Sequence, residues 1–204
     1  MKYEVKYVSK QGNVYVLRAW PLEEKLSFKP GQFVMLTYDG IRRPYSIASS
    51  PSWEYLEFMI TKKEGGQFTS RLDEILGKEI DVQGPFGHMT YEGETKAIFL
   101  AAGAGLAPMM SILRYIHEQE IKGDFHLFFS TRTRANHPYQ SEFKYWDIDI
   151  VERFTREGDS RLSAKDLEGF DLKDYTLFVC GSIPFAQQFK DLGAKKIKVE
   201  AWNP

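Results

Sequence analysis

Short apolar runs punctuated by turn residues fill the first 93 positions. Residues 3–8 and 14–20 alternate or run apolar at strand length, and Gln11-Gly12-Asn13 separates them. Residues 33–36 follow Pro30-Gly31, residues 45–48 follow Pro44, and residues 55–60 and 79–82 complete six expected strands. Short strands with turn signals between them predict an antiparallel barrel or sandwich. One helix interrupts them over residues 71–76, with Thr69 or Ser70 as its N-cap and Gly77 as its stop.

Beyond Lys96 the rhythm becomes strand, helix, strand. Residues 97–102 read as a buried strand, and residues 106–120 carry helical periodicity through Met109, Leu113, Ile116 and His117. Residues 125–129, 148–154, 176–179 and 197–199 read as further strands, with helical or loop segments between them, notably 184–192. This alternation predicts a parallel sheet with helices on both faces. The short join near Glu92-Gly93-Glu94 divides the chain into a β-barrel domain, 1–93, and an α/β domain, 94–204.

Composition narrows the function classes. With 15 Phe, 11 Tyr and 4 Trp in 204 residues, the chain has the aromatic area for a real core, which argues against disorder. Lys+Arg is 27 against Asp+Glu 28, and the balance holds in both halves, so there is no basic footprint for nucleic acid. One cysteine, Cys180, allows no intrachain disulfide and no cysteine-ligated cluster. The start lacks a signal-peptide apolar core and no apolar run approaches a membrane span, which leads to the expectation of a cytoplasmic protein. His88, His117, His126 and His137 are scattered without ligand spacing, so no metal site is expected. No Ser–His–Asp order or paired-carboxylate motif supports hydrolysis.

Four segments carry candidate chemistry. Gly103-Ala104-Gly105-Leu106-Ala107-Pro108 follows a buried strand and opens a helix. Glycines there admit a pyrophosphate to the backbone, and a helix start favours an anion, although the third glycine of the usual dinucleotide fingerprint is missing. A tight strand-to-helix turn without a ligand is the alternative. Arg43-Pro44-Tyr45-Ser46 supplies a phosphate-pairing guanidinium, a stacking face and a hydroxyl. On a regular strand Tyr45 and Ser46 point to opposite faces, so both reach one ligand only if it lies across the strand end. Gly66-Gln67-Phe68-Thr69 leads glycine into a helix start, either as an anion site or as a plain cap. Cys180-Gly181-Ser182 ends a buried strand, where open α/β sheets place ligands, although a small buried hydrophobe would also explain Cys180.

Together and in this order, Arg43–Ser46, Gly66–Thr69, Gly84-Pro85-Phe86-Gly87, Gly103–Pro108 and Cys180–Ser182 resemble the ferredoxin–NADP reductase superfamily of flavoproteins, over nearly the whole chain. The resemblance implies a six-stranded antiparallel FAD-binding barrel followed by a parallel-sheet domain for NADPH or NADH. It assigns Arg43 to the flavin pyrophosphate, Tyr45 to stacking on the isoalloxazine and Ser46 to its reactive nitrogen. Thr69 and the backbone from Gly66 onward would hold the pyrophosphate, with Ile60 lining the ribityl path. Gly103–Pro108 would cradle the nicotinamide nucleotide and Cys180 would lie beside its ring. At the carboxyl end, Glu200 and Trp202 look like the carboxylate and aromatic that cover one flavin face. Trp202 either stacks there or seals the domain interface, and Asn203 and Pro204 extend past it.

Arg132, Thr155, Arg156 and Arg161 follow the second and third strands of the α/β half, with no carboxylate where an NAD ribose wants one. Roughly two negative charges on a 2′-phosphate call for such cations, so the cluster leans towards NADPH. Arg156→Ala is expected to raise the KM for NADPH far more than for NADH. The implied function is an NAD(P)H-dependent FAD reductase. It passes electrons to a separate ferredoxin, flavodoxin, oxygenase component or haem protein, since one cysteine carries no cluster. A free-flavin reductase and a non-catalytic nucleotide-binding subunit are the alternatives.

Overall fold

The computed structural model describes residues 1–203; Pro204, the end of the second expected domain, lies outside the described residues. Six strands fill the first part: β1 (Lys2–Gln11), β2 (Val14–Pro21), β3 (Phe33–Tyr38), β4 (Ile41–Ser46), β5 (Leu56–Thr61) and β6 (Glu79–Phe86). They form one antiparallel sheet in the order β4-β3-β6-β1-β2-β5. The two ends of that order meet just past β4, where Ala48 N–H donates to the Glu57 carbonyl at 2.7 Å. Alternation decides what each face does. On β5, Leu56, Phe58 and Ile60 enter the barrel core with Tyr15 and Leu17, while Met59 joins Val14 and Val16 in a second cluster outside it. That second cluster is why β2 opens on four consecutive apolar residues, Val14–Leu17.

The expected helix after β5 is a 3₁₀ turn, Thr69–Glu74, and neither Thr69 nor Ser70 caps it. Thr69 Oγ1 instead accepts from Lys63 N–H and donates to Lys63 C=O, both at 3.2 Å, tying off the loop. Strand β4 ends at Ser46, two residues short of the expectation, and it starts earlier, at Ile41.

The second part holds β7 (Lys96–Ala102), α1 (Leu106–Glu118), β8 (Asp124–Thr131), β9 (Asp149–Phe154), β10 (Thr176–Ser182), α2 (Ile183–Gln187) and β11 (Lys196–Trp202). All five strands are parallel, ordered β11-β10-β7-β8-β9. Both faces of β7 and β10 are covered. Ala97, Phe99, Phe178 and Cys180 face the cluster under α1, and Ile98, Leu100, Leu177 and Val179 face Phe185, Phe189 and Leu162 on the other side. Helix α1 is buried along most of its length because it is sandwiched between this sheet and the barrel, with the exposed His117 outside its apolar set. The segment 184–192, expected as helix or loop, is helical only at its start: Ser182 Oγ accepts from Phe185 N–H at 3.3 Å and starts α2, which ends at Gln187. Strand order reverses between β7 and β10, so their carboxyl ends open a crevice facing the barrel.

Candidate functional site

A cleft of about 1780 Å³ lies along that crevice, walled by the barrel on one side and the parallel sheet on the other. Typical small-ligand pockets are roughly 300–1,000 Å³, so this one has room for two nucleotides. From the barrel come Arg43, Pro44, Tyr45, Ser46, Ile60 and the loop through Gly66, Gln67, Phe68 and Thr69. Because β4 ends at Ser46, Tyr45 and Ser46 both reach the cleft, at the strand end. Tyr45 also packs on the barrel core, its ring 5.1 Å from that of Phe68, and burial pushes its phenol well above the usual value against the pull of Arg43. The exposed Arg43 donates from Nη2 to Gln67 Oε1 at 3.1 Å, which aligns it with the Gly66–Thr69 loop. A Cβ on Gly66 would meet Thr69 Oγ1 at 2.4 Å, so that loop is a cradle only glycine leaves open.

From the sheet come Gly103 and Ala104, Arg132, Thr155, Arg161, Glu200 and Trp202. Gly103 takes a φ of +56°, which turns the chain out of β7, and a 3₁₀ turn over Gly103–Gly105 leads into α1. A Cβ on Gly105 would come within 2.1 Å of the Cys180 carbonyl oxygen, so this glycine serves the packing of helix on strand. Gly105 and Pro108 lie behind the cleft surface, buried at the start of α1. Arg134 and Arg153 nearby are held by Glu157 and Asp166.

Besides Gly105 and Pro108, three further expected positions fall outside the lining. Cys180 is fully buried among the residues under α1, and burial pushes its thiol up, because alternation along β10 turns its side chain into the core. Gly181 is buried against Phe185. Arg156 is exposed beyond the rim, its N–H donating to the Arg132 carbonyl at 2.9 Å. At the carboxyl end, alternation along β11 aims Lys198, Glu200 and Trp202 inward. Burial raises the Glu200 carboxyl to about 7, and its Oε2 lies 3.3 Å from where Gly87 would carry a Cβ. Trp202 lines the cleft and also packs against the cluster under α1.

Residues 3–91 match the family model of the oxidoreductase FAD-binding domain, and residues 99–191 match that of the oxidoreductase NAD-binding domain. The chain belongs to the ferredoxin–NADP reductase superfamily. Among curated relatives, it is 35% identical over 141 residues to the reductase component of propane 2-monooxygenase from Mycolicibacterium smegmatis, covering 65% of this chain and 40% of that protein. It is 32% identical over 191 residues to the glycine betaine monooxygenase reductase subunit of Pseudomonas aeruginosa, covering 81% and 52% respectively. The chain thus spans about half or less of these relatives' length. The flavohem-like FAD/NAD binding domain of nitric oxide dioxygenase from Vibrio cholerae shares the fold with a TM-score of 0.85 at 20% identity, covering 100% of this chain and 98% of that one.

The residues present fit both cofactors of such reductases. The barrel wall offers a stacking ring, a hydroxyl, a guanidinium and a glycine cradle. The sheet wall offers a glycine turn at the strand-order reversal and two cleft-lining arginines.

Two parts of the arrangement were not anticipated from sequence. Glu57, fully buried on β5, accepts from Arg18, from Arg114 of α1 and from the Tyr139 hydroxyl, linking barrel to sheet domain. Asn13 and Asn136, from opposite domains, meet at the cleft. Among the described residues no helix is long and apolar enough to cross a membrane, and no cluster of three metal-ligating side chains occurs.

Proposed function

We infer that this chain is an FAD-dependent reductase that accepts hydride from NADPH or NADH and delivers electrons singly to a separate protein acceptor, a ferredoxin, a flavodoxin or an oxygenase component. One observation carries the reading: a wall suited to a flavin dinucleotide and a wall suited to a nicotinamide dinucleotide face each other across a single cleft. Residues 1–93 would form the flavin domain and 94–204 the nicotinamide nucleotide domain. The reductase components and subunits of oxygenase systems among its relatives support the separate acceptor. A cytoplasmic setting suits a lone, buried, unpaired thiol.

When bound, flavin supplies the conversion of a two-electron donor's hydride into single electrons. The protein's part is orientation. Tyr45 and Ile60 shape the face on which a planar ring would rest, and Ser46 Oγ presents a hydroxyl at the strand end. Arg43 and the Gly66–Thr69 loop hold a diphosphate. Trp202 shields the opposite side from water, and Glu200, with its carboxyl near 7, can hold or release a proton at Oε2. Cys180 supports the strand end from within the core.

The test is an anaerobic visible spectrum of the purified protein before and after NADPH, then NADH. Flavin bands that bleach with either nucleotide are expected. No flavin even after FAD is supplied overturns the reading, and bound flavin that neither nucleotide reduces points to a non-catalytic subunit.

A further inference from the structure

The Asn13 side chain has a polar atom without a role in the protein. Asn13 lines the cleft, yet its Oδ1 is buried and has no hydrogen-bond partner. An acceptor left this way keeps its desolvation cost without compensation, and a ligand donor at this position would recover it. The residue is held firmly. Asn13 C=O accepts from Lys62 N–H at 2.8 Å, and Asn13 N–H donates to Asn136 Oδ1 of the other domain at 3.3 Å. Gly12 makes that approach possible: it takes a φ of +60°, and a Cβ there would sit 2.1 Å from Asn136 Oδ1. The loop bearing Asn136 is anchored in turn by His137, which packs between the rings of Phe129 and Phe143 and lies 2.9 Å from Glu152.

Position along the barrel wall says which ligand. Lys62 is followed by Lys63, whose backbone N–H and C=O both bond Thr69 Oγ1 of the glycine cradle. Asn13 is therefore continuous, through Lys62 and Lys63, with the wall that would hold the flavin diphosphate. Beyond the diphosphate, FAD carries a ribose, which offers hydroxyls, and an adenine, which offers an amino group beside a ring nitrogen. The adenine matches both ends of a carboxamide: Oδ1 accepts from the amino group while Nδ2 donates to the ring nitrogen, the same bidentate pairing by which Asn reads adenine elsewhere.

We propose that Asn13, fixed from across the domain boundary by Asn136, is the adenine-reading residue of the flavin site and makes the protein select FAD over FMN. This rests on the flavin reading above and adds its adenosine end. The full chain is titrated with FAD and, separately, with FMN, following flavin fluorescence. Wild type is expected to bind FAD more tightly than FMN. Asn13→Ala should weaken FAD about tenfold and leave FMN within about twofold, the worth of one bidentate base contact. Asn13→Asp, which keeps the acceptors but cannot donate, should lose FAD affinity as well. FMN affinity doubles as the control for folding. Equal losses for both flavins, or none for FAD, overturn the proposal. A fall in NADP⁺ affinity with FAD untouched overturns it too, by giving the position to the other nucleotide. Wild type that binds neither flavin would remove the flavin reading itself.

Discussion

Arg114 on α1 donates from Nη1 to Glu57 Oε1 on β5 at 2.7 Å, and both side chains are almost wholly removed from water. The helix that follows the Gly103–Gly105 turn is thereby bolted to the strand whose end lines the barrel side of the cleft. Arg114 also donates to both Glu142 oxygens and to the Ala48 carbonyl, two residues past Ser46. One guanidinium thus fixes the spacing of the two walls of the cleft.

Glu57→Gln leaves two guanidinium groups, Arg18 and Arg114, against a neutral acceptor. Breaking a buried pair is worth about 3–5 kcal/mol, whereas an arm as exposed as Arg18 contributes about 1 kcal/mol or less. Urea unfolding should show a large fall in midpoint for Glu57→Gln and a small one for Arg18→Ala. Equal falls would remove the carboxylate from its central place.

The two glycines of the nucleotide turn should respond differently to alanine. At Gly105 a Cβ meets the Cys180 carbonyl carbon at 2.6 Å and its oxygen at 2.1 Å, both backbone atoms that cannot swing aside. At Gly103 nothing lies within 4 Å, and only the φ of +56° resists. Gly105→Ala should therefore destabilise by about 2–3 kcal/mol or more, and Gly103→Ala by about 1 kcal/mol. Thermal or urea unfolding of the pair decides it.

The strands were legible because their faces repeat every two residues, and the motif order was legible because glycine, proline and arginine punctuate it. Side-chain direction at strand ends was harder to read. Cys180 stands where ligands are expected, but one step of alternation turns it into the core, and no local signal announces which face is wet. The buried pair of Glu57 and Arg114 did leave a trace, a lone charge inside an apolar strand and another inside an apolar helix. Their opposite signs pair residues 57 positions apart, which periodicity alone cannot connect. Thr69 has the residue type of a cap but spends its hydroxyl on Lys63, because the chain enters the 3₁₀ turn through Phe68 already in helical geometry.

The arginines sort by placement. Arg132 and Arg161 line the cleft, while Arg156 lies outside it. If a 2′-phosphate is recognised here, Arg161→Ala should raise the KM for NADPH about tenfold and that for NADH within about twofold, since a charged hydrogen bond is lost only with the phosphate. Arg156→Ala should treat the two nucleotides alike. Steady-state kinetics with both donors is the measurement. A selective effect at Arg156 alone would restore the sequence-based assignment and require that side chain to fold inward on binding.

Glu200 gives a pH signature with a definite sign. Its folded value of about 7 stands above the ordinary 4.5, and burial is the cause. Between those values the folded protein keeps a proton on Glu200 that the unfolded chain has released. The group's contribution to stability therefore falls as pH rises from about 4.5 through about 7, and is level above that. Glu200→Gln cannot ionise and does not share this loss. The Tm of the variant minus that of wild type should shift in the variant's favour from pH 5 to about pH 7 and level off by pH 8, whatever constant offset the substitution itself brings. Taking the difference cancels the other titrating groups, which both proteins share. A difference that stays flat over that range would mean that Glu200 is already ionised at pH 5 in the folded protein, and would withdraw it as a proton-holding group beside the flavin wall.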